Sequence, residues 1–90
     1  MNLCAIIQTY FPYIENACSK EVMDHFRACE YTELHKYHWT IELWIRNTLL
    51  QTEPSLKQAF LQHNITHKDD MSALILRLLY IYEQEKAYTT

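Results

Sequence analysis

The sequence reads as an all-α domain, a bundle of about four to five helices packed around a central helix at about residues 33–50. Three features point there: the chain contains no glycine, it has only two prolines, and its apolar residues recur at three- and four-residue spacing. Tight hairpins need residues that tolerate positive φ, and glycine is their usual supplier, so a β-rich fold is not expected. The same absence excludes a glycine-rich phosphate loop and with it nucleotide binding of that type. Ninety residues suit a single domain, 1–90. A domain of that size buries roughly 60–68% of its unfolded surface, enough for one core without staples. A hydrophobic fraction of 49%, two Trp and seven Tyr set the chain apart from disordered sequences.

Leu3 to Cys18, the first element, carries Leu3, Ile6, Ile7, Tyr10, Ile14 and Ala17 in helical rhythm, with Pro12 imposing a break near Phe11. Ser19 is placed to cap a helix from Lys20 to Cys29, whose apolar side is Val22, Met23, Phe26 and Cys29. Thr32 is the next expected cap, with Glu33 in the first turn of the longest helix, Glu33 to about Leu50. The stripe there is Leu34, Tyr37, His38, Ile41, Trp44, Ile45 and Thr48, and Trp39, Leu43 and Leu50 cover much of the other side. A helix apolar most of the way round is surrounded by others, which makes this one central.

Thr52 or Glu53 then caps a short helix that opens on Pro54, runs from Ser55 to His63 and buries Leu56, Ala59 and Phe60. Asn64 stands where a helix commonly ends in left-handed geometry, a role Asn fills when Gly is absent. Asp69 or Asp70 is expected to cap the last helix, which extends to about Ala87 with Met71, Leu74, Ile75, Leu78 and Tyr82 inward.

Cys4, Cys18 and Cys29 cannot all pair within one chain and lack zinc spacing, so they read as small buried hydrophobes in a reducing compartment. The N-terminus has no basic region ahead of an apolar run, so no secretory signal is expected. The most apolar run, Ala73 to Tyr82, is interrupted by Arg77 and too short to span a bilayer. A cytoplasmic location and no membrane association are therefore expected. The formal charge is −3, and eight Lys and Arg are scattered singly, so nucleic acid is not an expected partner.

Two stretches, His38-Trp39-Thr40-Ile41-Glu42-Leu43-Trp44-Ile45-Arg46-Asn47 and His67-Lys68-Asp69-Asp70-Met71-Ser72, stand out as motifs. Together they resemble a family of small uncharacterised bacterial domains. Its pattern is a His before an aliphatic-Gly-x-Trp-Ile-Arg-Asn core, a short helix, and His-Pro-Asp-Asp-Met-Ser before a final helix. The resemblance covers about residues 34–82. Glu42 stands in place of the family's Gly, Lys68 in place of its Pro, and Asn64 in place of a Gly before the second motif. The resemblance implies a helical fold and a shared motif, and no chemistry.

His38, Glu42 and Arg46 are spaced i, i+4, i+8 and form one row, with Asn47 beside it. His67, Asp69, Asp70 and Ser72 gather at a helix N-terminus. If the two motifs meet, Arg46 can bond Asp69 or Asp70 as a folding clasp, and Arg46→Ala would cost roughly 3 kcal/mol for a buried pair. An active site is the sharper reading, with His38 or His67 as acid or base, Asp70 to orient it and Arg46 to hold an anion. The helical ribonucleases of the higher eukaryote and prokaryote nucleotide-binding class place a His four to six residues after an Arg–polar pair. Leu50, Gln51 and Thr52 stand there instead. A metal reading would draw on Cys29, His35, His38, His63 and His67, but no CxxC, HExxH or Glu-x-x-His pattern supports it, and no metal or cofactor is expected.

Tyr13, Trp39, Tyr80 and Tyr88 fall off the apolar stripes, and exposed aromatics of that kind are enriched at protein interfaces. The leading functional expectation is an acidic protein-binding module that neutralises a basic toxin or effector, as an immunity protein or comparable inhibitor does. A small hydrolase or nuclease built on His38, Arg46, His67 and Asp70 is the first alternative. A homodimeric structural module without a ligand is the second.

Overall fold

The computed structural model describes residues 2–89. Among these the chain is helical throughout its regular elements, with no strand. Helices α1 (Leu3–Gln8) and α2 (Phe11–Ala17) arise from the first apolar segment. Asn2 Oδ1 accepts the Ala5 N–H at 2.7 Å to open α1, and Pro12 lies in the first turn of α2, where its missing N–H costs no helical bond. The expected break therefore falls at Thr9–Tyr10, just ahead of the proline. Ser19 Oγ accepts the Val22 N–H at 3.1 Å and opens α3 (Lys20–Ala28), which buries Met23 and Phe26.

The central helix expected at 33–50 is not continuous. A 3₁₀ segment covers Tyr31–Tyr37 and buries only Leu34. It is opened by Glu30 rather than Thr32, the Glu30 N–H donating to Glu33 Oε1 at 3.0 Å. At Thr40 the backbone leaves helical space (φ −119°, ψ −93°), and helix resumes as α4 (Ile41–Trp44). Tyr37, His38, Trp39 and Thr40 are all bulky or β-branched residues with modest helix propensity, so little local preference opposes the break. Leu34 before the break and Ile41 after it both reach the core, while Trp39 stays in solvent.

A π turn (Ile45–Leu49) comes next, with the Leu50 N–H reaching back to Ile45 O, and then one turn of α5 (Leu50–Thr52). The extra residue in a π turn rotates every later side chain about the helix axis. Thr48, expected on the apolar stripe, is exposed, while Leu49 and Leu50 are both buried.

Helix α6 (Pro54–Gln62) buries Leu56, Ala59 and Phe60 as expected. Asn64 takes φ 62°, the Asn64 N–H donates to Leu61 O at 3.1 Å and the Ile65 N–H to Phe60 O at 3.0 Å. That is the paired bonding of a Schellman end, achieved with Asn in the usual glycine position. Helix α7 (Lys68–Thr89) starts before both aspartates, so Asp69 and Asp70 occupy its first turn instead of capping it. The Met71 N–H bonds His67 O at 3.1 Å, and the carboxylates complement the positive end of the helix.

One apolar cluster joins every segment, from Leu3 and Ile7 through Phe11, Phe26, Ile41, Ile45 and Phe60 to Ile75 and Leu79. The inward face of α7 is Met71, Ser72, Ile75, Leu76, Leu79 and Glu83; Leu74, Leu78 and Tyr82, assigned to that face from the sequence, lie half-buried on its flank. No helix among the described residues is long and apolar enough to cross a membrane.

Candidate functional site

The row predicted on the central helix exists only in part, because the break at Thr40 puts His38 on a turn. His38 Nδ1 hydrogen-bonds Glu42 Oε2, and that contact provides a partner for a carboxylate whose side chain is only 10% exposed. Within the π turn Arg46, 16% exposed, reaches across to α7 and donates through Nη1 to Asp69 Oδ1 at 2.9 Å. The two motifs do meet, and Arg46 selects Asp69. Beneath this contact Ser72 is fully buried, and its Oγ donates to Asp69 O at 3.1 Å. Asp69 is thus held by backbone and side chain together.

The remaining members of the polar set are not drawn in. Asn47, His67 and Asp70 are exposed, and their side chains make no hydrogen bond or ion pair among the described residues. His38 and Arg46 each engage a different carboxylate. No group of three His, Cys, Asp or Glu side chains among the described residues is arranged to hold a metal ion. What the geometry assembles is a clasp between the π turn and the first turn of α7.

A second feature lies beside the break. The junction of α2 and α3 (Ala17, Cys18, Ser19 and Val22) faces Thr40, Ile41 and Trp44 across an open, mainly apolar pocket of about 230 Å³. Burial pushes the Cys18 thiol up from its ordinary range, so at neutral pH it lines the pocket as a neutral, apolar group. Trp39 stands next to Thr40 with 72% of its surface exposed, its ring set edge-on to His38 at 4.7 Å between centroids. The His38–Glu42 bond and this ring contact brace the indole, which belongs to the residue just before the pocket-lining Thr40. On α2, Tyr13 precedes Ala17 by one helical turn, is 53% exposed, and packs edge-on against Tyr10 at 5.6 Å.

Of the four aromatics expected at an interface, Tyr13, Trp39 and Tyr88 are open to solvent. Tyr80 is turned inward: its hydroxyl donates to Cys29 O at 2.5 Å, and its ring meets Phe26 and Tyr31 edge-on. Its distance in sequence from Cys29 hid that bond.

Sequence reasoning also missed a polar network at the other end of α7. Arg27 Nε donates to Glu83 Oε2 at 3.0 Å, Lys86 Nζ to Glu15 Oε2 at 2.5 Å, and Gln84 Nε2 to Arg27 O at 2.6 Å. The Glu83 side chain is completely buried. Burial and the neighbouring Glu15 push the Glu83 carboxyl above its ordinary range. Burial acts on Glu15 in the same sense, but hydrogen bonds from Glu83 and Lys86 outweigh it and hold that carboxyl low. A signal was present: Ser72, Leu76, Leu79 and Glu83 are spaced i, i+4, i+7, i+11, so a glutamate continues an inward stripe.

No curated protein and no solved structure matched the chain. A family model does, and its match takes in α2 and α3 whole, the pocket and the Arg46–Asp69 clasp, so α2 and α3 are part of the family domain along with the motif-bearing half. The chain belongs to the family described as Domain of unknown function (DUF6794), whose model matches residues 6–82.

Proposed function

We propose that this domain is a protein-binding module whose docking site is the apolar pocket at the α2–α3 junction together with Trp39. The observation that carries the reading is the pairing of an open apolar pocket with a braced, 72%-exposed tryptophan one residue before the pocket-lining Thr40. Large, stiff aromatics beside a pocket are the usual anchors of protein interfaces, since they contribute area at little cost in side-chain entropy. A net charge of −3 favours a basic partner. A toxin-neutralising immunity protein or comparable inhibitor, of bacterial or mobile-element origin and acting in the cytoplasm, is the role these properties suit.

A photo-crosslinking phenylalanine analogue in place of Trp39, with the same analogue at Leu61 on α6 as control, tests this in the source cell. The expected result is a crosslink to one basic protein from position 39, absent from position 61 and lost when Ala17→Trp fills the pocket. Equal labelling from both positions, or none, would sink the reading. A product of twice 10.9 kDa from position 39 would instead support the homodimeric alternative. The hydrolase alternative draws no comparable support, since His38 and Arg46 are bound to separate carboxylates while His67 and Asp70 point no side-chain bond at either.

A further inference from the structure

The network at the far end of α7 buries a carboxyl group that its cations reach from one side only. Glu83 enters from α7, Glu15 from α2, and Arg27 and Asp24 from α3. Lys86, one turn after Glu83, lies 2.5 Å from Glu15 Oε2 and 3.4 Å from Glu83 Oε2, with its ammonium 4.9 Å from the centre of the Tyr82 ring. Arg27 Nη2 is 4.0 Å from Glu15 Oε2, and Arg27 Nη1 is 3.2 Å from Asp24 Oδ1. Lys20, 89% exposed, contacts Asp24 on the solvent side.

Both cations that touch Glu83 approach the same oxygen, Oε2. Its other oxygen, Oε1, is buried and meets no donor. An ionised carboxylate with one bare, buried oxygen is among the costlier arrangements in a protein interior. At the same time Glu15 and Glu83 crowd onto the same two cations: their Oε2 atoms lie 2.5 and 3.4 Å from Lys86 Nζ, and 4.0 and 3.0 Å from Nη2 and Nε of Arg27, which holds the two carboxyl groups close together. Two carboxylates in contact repel; a carboxylic acid and a carboxylate form a strong hydrogen bond. One proton removes both difficulties.

We propose that Glu83 and Glu15 share a single proton, carried on Glu83 and offered to Glu15, which makes the junction of α2, α3 and α7 a pH-sensitive latch. With the proton in place the last turns of α7 are held by Arg27, Lys86 and the carboxyl–carboxylate bond together. Ionisation of Glu83 replaces that bond with a repulsion inside the seam. The native state then binds more protons than the unfolded chain above the ordinary glutamate range, so stability falls as pH rises through the Glu83 titration. Glu15 contributes with the opposite sign and in the opposite window, losing stability as pH falls below that range.

Carboxyl-carbon NMR of the full chain, titrated from acid to mildly alkaline pH, tests this in the parent, in Glu15→Gln and in Glu83→Gln. In the parent, Glu83 should titrate above and Glu15 below the ordinary value of about 4.3. Glu15→Gln should lower the proton affinity of Glu83 by about tenfold, because the charged acceptor is gone. Glu83→Gln, whose amide can donate to Glu15, should hold its denaturation midpoint constant over the window in which the parent's falls. A Glu83 titration unmoved by Glu15→Gln would show that burial alone raises it and would overturn the shared proton. Ordinary titration of both groups in the parent would overturn it even if neither variant folds.

Discussion

Helix α7 is tied to the bundle near each end by an arginine–carboxylate pair, and the two ties are built in opposite ways. At its N-terminal end Arg46 meets an Asp69 whose side chain is 79% exposed; near its C-terminal end Arg27 meets a Glu83 with no exposure at all. The first pair keeps Asp69 in water although Arg46 is only 16% exposed, so its Coulomb energy is screened and its net worth is about 0–1 kcal/mol. In the second, Glu83 has lost that water while Arg27 keeps 34% exposure, so the buried carboxyl depends on Arg27 and Lys86 for compensation. Similar chemistry at similar distance, 2.9 and 3.0 Å, therefore carries different weight. Burial, more than pairing, sets what an ion pair does for a fold.

The comparison predicts its sharpest break at Arg27. Arg27→Ala should cost about 3 kcal/mol by chemical denaturation at pH above the Glu83 titration, because it strands a buried carboxylate, while the Gln84 bond to the backbone carbonyl of residue 27 survives. A loss under about 1 kcal/mol, the range of a solvated pair, would mean that Lys86 alone compensates Glu83. Replacing both partners at once, Arg27→Met with Glu83→Leu, should restore about 2 kcal/mol of that loss, since well-packed apolar side chains need no partner. Failure to recover would show that the pair organises the seam beyond its own charges.

At the other end the effects shrink. Arg46→Ala should cost only about 1 kcal/mol, well below the roughly 3 kcal/mol of a buried pair, because Asp69 stays hydrated when its partner leaves. Part of even that loss is packing by the arginine stem. The smallest effect is expected for Asp69→Asn, about 0.5 kcal/mol in dilute buffer and nothing measurable in molar salt, where screening acts over about 3 Å. If Asp69→Asn proved as costly as Arg27→Ala, the contrast between the two ties would collapse.

Much of this molecule was legible residue by residue. Pro12 and Pro54 mark helix starts because a missing N–H is harmless only there, Ser19 caps because its hydroxyl reaches the Val22 amide, and Asn64 ends α6 because it tolerates left-handed geometry. A meeting of Arg46 with Asp69 or Asp70 was legible too, from two motifs with complementary groups, and only the packed structure selects Asp69. The break at Thr40 was not, since the apolar spacing through Leu34, Tyr37 and Ile41 fits an unbroken helix. The π turn was hidden for a related reason: a stripe drawn at constant period puts Thr48 inside, and one inserted residue exchanges it for Leu49.

The sequence by itself determined the helical class, the starts of α3 and α6, the end of α6 at Asn64, and the apolar side of each short helix. Those properties depend on backbone donors, φ preferences and periodicity within a few residues. Only the tertiary structure decided where the long central segment breaks, which aromatics face water, and that Glu83 is buried against Glu15 and Arg27. Those outcomes depend on contacts between residues far apart in the chain, whose cost and benefit exist only once the elements pack and exclude water.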